Sequence, residues 1–123
     1  MTTRQAERQI AKALKLARRM LAQPYGWTKR VYKEPEPRSP DGYTRCAKGA
    51  LYAGYRAAGL SEGAYPKVIR LLQQGVVEVS KGTEVLKIAA FNDAKGTHKK
   101  DVLKAFDVAI RLAEGESDKD AHG

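Results

Sequence analysis

The stretch RQAERQIAKALKLARRMLA, residues 4–22, decides the fold class. At about 100° per residue, Ala6, Ile10, Ala13, Leu14, Ala17, Met20 and Leu21 fall on one continuous face. Arg4, Arg8, Lys12, Lys15, Arg18 and Arg19 fall within an arc of about 120° on the opposite side. This is an amphipathic α-helix, and its apolar face has to be buried against other elements. Thr3 reads as its N-cap, and Glu7 sits in the early turns where the helix dipole favours a carboxylate. Pro24 and Gly26 stop it.

Working outward, Tyr25-Gly26-Trp27 follows, then a short extended piece over 28–33. Pro35, Pro37, Pro40 and Gly42 exclude a regular helix over 34–42 and predict an exposed, partly polyproline-like loop. A second helix is predicted over 44–58, with Thr44 or Asp41 near its start and Gly59 as its stop. Cys46, Ala50, Ala53, Gly54 and Ala57 give it a face of small side chains. Gly49 and Gly54 each weaken a helix by up to ~1 kcal/mol relative to Ala, and close packing against another element would offset that. A third helix is predicted over 66–75, from Pro66 in its first turn to Gly75 as its end, with Val68, Ile69, Leu71 and Leu72 inward.

Residues 76–91 read two ways. Val77 and Val79 alternate like a strand that Lys81-Gly82 would turn, whereas Thr83 and Glu84 cap Val85, Ile88 and Ala89 at helical spacing. The preferred reading is an irregular or extended 76–80 followed by a short helix over 84–91. The run 92–96 is a turn, and Thr97 caps a last helix over 98–113 with Val102, Leu103, Phe106, Ala109, Ile110 and Ala113 as its stripe. The sum is a mainly α fold. Residues 1–113 form one small domain of four to five helices, with room for a short strand pair, and 114–123 form a disordered acidic tail. Ile10, Leu14, Ala17 and Leu21 are expected to pack with Leu51, Val102, Phe106 and Ile110.

The chain of 123 residues carries 23 Lys and Arg against 14 Asp and Glu, a formal charge of +9. The excess is uneven: the last ten residues are net acidic, while nine basic groups face only Glu7 in 1–33. Such a field draws polyanions and speeds their encounter without naming one. No apolar run approaches the ~18 residues of a membrane span, so no membrane is expected as a partner. A charged N-terminus shows no secretory signal. A single cysteine forms no internal disulfide, which fits a reducing cytoplasm.

Four constellations bear on chemistry. Cys46 in the first turn of a helix, beside Arg45 and Lys48, is a candidate thiolate nucleophile; His98 as base and Asn92 or Asp93 as orienting group would complete a hydrolase or transferase. The simpler reading is a small buried residue on an alanine face. For a metal, only His98, Asp93, Cys46 and His122 are available, with no CxxC, HxxxH or HExxH spacing, so no metal is expected. No GxGxxG follows a strand and no GxxxxGK[ST] occurs, so no nucleotide cofactor is expected. For nucleic acid, the stripe Arg4, Arg8, Lys12, Lys15, Arg18 and Arg19 offers phosphate contacts that Lys99, Lys100 and Lys104 would extend. Trp27, Tyr25, Tyr32 and Tyr43 could stack on unpaired bases. No helix-turn-helix pattern accompanies them, and a solvated face is the plainer alternative.

Cys46-Ala47-Lys48-Gly49-Ala50-Leu51, of the form CxxGAL, and the run from Phe91 through Asn92-Asp93 to Gly96 and His98 carry a resemblance, with Gly26-Trp27-Thr28 in register. Together they resemble small proteins of actinobacteria and their phages that share a domain of unknown function. Members of that family typically show GW, CxxGAL and Trp-Asn-Asp-x-x-Gly before a last helix; Phe91 stands here where Trp is common. The resemblance spans roughly 25–112 and implies no established activity. It favours a protein that binds a host component. The expectation is therefore a small basic helical protein that works without catalysis on an acidic protein or nucleic acid. The alternatives are the Cys46–His98 enzyme and a small-ligand binder with its pocket near Trp27, Cys46 and Asn92.

Overall fold

Helix α1, Thr3–Ala22, buries the face its periodicity dictates: Ile10, Ala13, Leu14, Ala17 and Leu21 are all at most 3% exposed. The computed structural model describes residues 3–80 and 87–116. Thr3 lies inside the helix and is not its cap.

The chain then makes a two-stranded antiparallel sheet, β1 (Lys33–Pro35) and β2 (Tyr43–Arg45), with Lys33 opposite Arg45, Glu34 opposite Thr44 and Pro35 opposite Tyr43. The strand pair lies at the two ends of the proline-rich segment, which was expected to be loop throughout. Pro35 is tolerated because β1 is an edge strand, which leaves its missing N–H without consequence for a second neighbour. Trp27 bridges the other side of β2 in parallel: the Thr28 N–H donates to the Arg45 carbonyl and the Arg45 N–H to the Gly26 carbonyl.

Helix α2, Ala47–Ala57, begins later than predicted, because Thr44 belongs to β2 and Cys46 is the N-cap with extended backbone. Its small-residue face serves in part as expected: Ala50 and Gly54 are buried, whereas Ala57 is exposed. Gly54 lies so close to α1 that a Cβ there would sit 2.3 Å from the Ala13 carbonyl oxygen. A 3₁₀ turn, Glu62–Ala64, leads into α3, Tyr65–Val79. The predicted stop at Gly75 is wrong, and so is the extended 76–80. Gly75 sits at the crossing with the last helix, where a Cβ would meet the Ala105 carbonyl oxygen at 2.2 Å, so its lack of side chain is used for packing within a continuing helix. Val68, Leu72 and Val76 run down one side at helical spacing, each at most 1% exposed.

Helix α4, Ile88–Asp93, carries the second half of the helix expected over 84–91 and runs two residues beyond it; the start of that prediction lies outside the described residues. Asn92 and Asp93 thus end a helix instead of opening a turn. Helix α5, Lys99–Arg111, is capped by His98 and not by Thr97: the His98 backbone N–H donates to the Asp101 carboxylate at 2.8 Å. A π turn, Leu112–Glu116, follows. The rest of the predicted acidic tail lies outside the described residues.

Among the described residues the architecture is a single small domain of five helices with a short hairpin. α1 packs on α2 and α5, and α3 packs on α5. Leu14, Leu21, Leu51, Leu72, Val102 and Phe106 form the centre of one core, which joins the residues predicted to meet; Ile110 packs at its edge, partly buried. No described helix is long and apolar enough to cross a membrane.

Candidate functional site

Asn92 is fully buried and all of its amide is engaged. Its Oδ1 accepts from the Trp27 indole N–H at 2.7 Å and from the Ala47 backbone N–H at 2.9 Å. Its Nδ2 donates to the Thr28 carbonyl at 3.1 Å and to Asp93 Oδ1 at 2.9 Å. Asp93 in turn accepts the Arg30 backbone N–H at 2.8 Å, and the Lys29 ammonium donates to the Ala94 carbonyl at 2.7 Å. The Asn92 amide, outweighing the burial that opposes it, holds the Asp93 carboxyl below its ordinary range, with Arg30 and Lys29 adding to the effect. Residues 27–30 are thus stapled one after another to 92–94, and the start of α2 is capped by a side chain 45 positions away. Of Trp27, Cys46 and Asn92, expected to frame a ligand pocket, Trp27 and Asn92 meet here as a structural joint, to which the residue after Cys46 is bonded.

Cys46 is 5% exposed, and its Sγ accepts the Gly49 N–H at 3.4 Å as the cap of α2. His98 is exposed at the start of α5. No hydrogen bond joins Cys46 to His98, and the four bonds of Asn92 go to other groups. A cavity of about 230 Å³ touches Cys46, with Arg30, Tyr32 and Asp93 around it; neither Trp27 nor Asn92 lines it.

The basic stripe of α1 divides. Lys15 pairs with Glu114, in the turn that follows α5, at 2.8 Å. Arg18 pairs with Asp107 of α5 at 2.6 Å. Arg8, Lys12 and Arg19 are exposed and have no carboxylate partner among the described residues; Arg4 is exposed at the same end, and Arg4 and Arg8 line a shallow cavity with Glu7 and Glu114. Of the lysines expected to extend the stripe, Lys99 is committed elsewhere: its ammonium donates to the Gln23 carbonyl at 2.7 Å, and burial pushes its pKa down. Lys100 and Lys104 are exposed.

The aromatic residues fall into two groups. Trp27 is half-buried, bonded to Asn92 and overlain by Lys29 at 5.6 Å. Tyr25 is covered by the Arg38 guanidinium at 4.2 Å, and Tyr43 by Lys33 at 3.9 Å. Arg38 also pairs with Glu36, whose carboxyl it lowers to about 2. Tyr32, 61% exposed, instead opens onto a groove of about 490 Å³ over α2 that the sequence reading did not anticipate. Tyr52 and Tyr65 line the same groove, with ring centroids 5.7 Å apart and edge to face. Gly49 forms part of it, because the loop passes so near α2 that a Cβ would overlap the Tyr32 carbonyl. Behind Tyr65 lies Tyr55, at 4.7 Å, its hydroxyl donating to the Ser61 carbonyl. Burial first, then the neighbouring phenols, push the Tyr65 hydroxyl above its ordinary pKa, so it stays neutral. Arg45, also in the lining, is buried and tied to Asp41 at 2.7 Å. A spacing of four in Lys48, Tyr52 and Arg56 was the available signal for this groove, since it puts the three on one side of α2.

Residues 5–112 match the sequence pattern of a family of unknown function, DUF6197. The chain belongs to that family. The DUF6197 span contains the whole Asn92 joint, the exposed Arg8, Lys12 and Arg19 of α1 and the groove over α2. Neither the curated proteins nor the solved structures give a match.

Proposed function

We propose that this DUF6197 protein is a non-catalytic, cytoplasmic nucleic-acid-binding protein that uses the outer face of α1 against phosphates. The observation that carries this reading is the exposure of Arg8, Lys12 and Arg19 without carboxylate partners among the described residues. Like charges at Arg8/Lys12 and Lys15/Arg19, four residues apart, oppose helix formation by about 0.2–0.5 kcal/mol per pair. Two of the six stripe cations are neutralised from α5 and its following turn, so internal pairing is available and yet is not extended to Arg8, Lys12 and Arg19 among the described residues. A ligand that supplies regularly spaced negative charge accounts for such a face, and the formal charge of +9 favours its approach. With no helix-turn-helix to read base edges, the contacts are to the backbone and insensitive to duplex sequence. A setting in actinobacteria or their phages, implied by the resemblance, suits a small protein that binds a host component.

A salt titration tests this. Affinity for generic DNA or RNA should fall linearly in logarithm with salt, with a slope set by the number of phosphates neutralised. Retention only of acidic proteins, unaffected by nuclease, would transfer the face to a protein partner. The Cys46–His98 enzyme has no comparable support, because the thiol is engaged as a cap and the imidazole stands in solvent.

A further inference from the structure

We infer that the groove over α2 takes nucleotide units of a single strand, so that the protein prefers unpaired nucleic acid to duplex; this rests on the nucleic-acid reading of α1 and adds a second surface to it. Tyr32, Tyr52 and Tyr65 give the groove an aromatic interior, and Lys33, Lys48 and Arg56 give it cations; no carboxylate among the described residues lines it. A volume of about 490 Å³ lies within the range of small-molecule sites, ample for a base with its sugar and phosphate.

The rings differ in how far they are already engaged. Tyr25 and Tyr43 already carry a cation over one face, and Tyr55 is buried with its hydroxyl bonded. Tyr52, at 49% exposure, and Tyr32, at 61%, keep ring surface in contact with water. Tyr52 is also held in place from behind by Tyr55 and Tyr65, at centroid distances of 6.0 and 5.7 Å. A ring fixed on one side and open on the other is a stacking platform. Bases offer a flat π-face whatever their identity, and they are free to use it only when unpaired. Lys48 and Arg56 lie one turn to either side of Tyr52 on α2, where a strand's phosphates flank a stacked base. A purely apolar ligand would leave these cations without partners, and a duplex would present phosphates without a base to stack. Charge and shape together select the single strand.

The test is fluorescence anisotropy of labelled oligothymidylate and of a duplex of equal length, at low salt, with the full chain. The wild type should bind the single strand more tightly. Tyr52→Ala should weaken the single strand by about tenfold or more while leaving duplex binding unchanged, and Tyr52→Phe, which keeps the ring, should restore it. Arg56→Glu should weaken the single strand more than the duplex. Equal affinities for the two forms, with Tyr52→Ala altering neither, would overturn the groove while leaving the α1 reading intact. Single-strand binding that survives Lys12→Glu with Arg19→Glu but is lost in Tyr52→Ala would support the groove and remove the α1 face. Full displacement of the strand by free thymidine monophosphate would make a mononucleotide the ligand and overturn the inference.

Discussion

Asn92 joins three segments far apart in sequence: the loop after α1, the first residue of α2 and the end of α4. Asn92→Ala would strand the Trp27 indole N–H, the Ala47 N–H and the Thr28 carbonyl at once. Each buried polar group left without a partner costs about 1–3 kcal/mol, so a loss of about 3 kcal/mol or more is expected in denaturant unfolding. Cys46→Ala should cost less, since only the Gly49 N–H loses its partner, and it should leave binding unchanged. The carboxylates set the acid limit of the fold. Glu36, Asp41 and Asp93 all have pKa values lowered in the folded protein. For Asp41, burial pulls upward but the bonds from Arg45, Tyr43 and Ser39 prevail. A group lowered on folding contributes stability that is present above its unfolded pKa and lost as pH falls through the folded one. Thermal stability should therefore hold from neutrality down to the ordinary Glu value of 4.5 and decline from there toward about 2. In the sequence Asn92 read as a turn residue, as an orienting group for His98 and as a neighbour of Trp27 and Cys46, but not as a buried joint. Its role is set by side-chain bonds across 45 and 65 positions, which no local pattern encodes.

Helix glycines show what local reading sees and misses. Small residues on α2 point to a close helix contact, and Gly54 against Ala13 bears that out. Gly75 reads as a stop because glycine usually ends helices, yet the structure uses it to bring α3 against Ala105. The apolar set Val68, Leu72 and Val76 spans that glycine at a spacing of four and carried the correct answer. The short strand pair was expected without a place, because three residues a side around a proline-rich loop leave little local signal and pairing partners decide so small a hairpin. Gly75→Ala provides the test at this scale. On propensity alone it would stabilise a helix by up to ~1 kcal/mol. With a backbone oxygen 2.2 Å from the new Cβ, overpacking should instead destabilise by about 1–3 kcal/mol. Gly63→Ala, with nothing within 4 Å, should be near neutral by the same melting assay.

At the scale of the molecule, the amphipathic face of α1 does two things. Its inner side meets α2 and α5 in the core, so Leu14→Ala or Phe106→Ala should cost about 2–5 kcal/mol. Its outer side keeps Arg8, Lys12 and Arg19 in water. The helix and its two faces were legible because periodicity is local. The pairing of Lys15 and Arg18 was not, because Glu114 and Asp107 lie 99 and 89 positions away. The measurement that tests the central claim most directly is the affinity for a nucleic acid duplex at low salt, wild type against Lys12→Glu with Arg19→Glu. Neither side chain enters the core, so the variant should melt as the wild type does. It should bind the duplex far more weakly, with a shallower dependence on salt. An unchanged affinity and an unchanged salt slope in the folded variant would contradict α1 as the binding face.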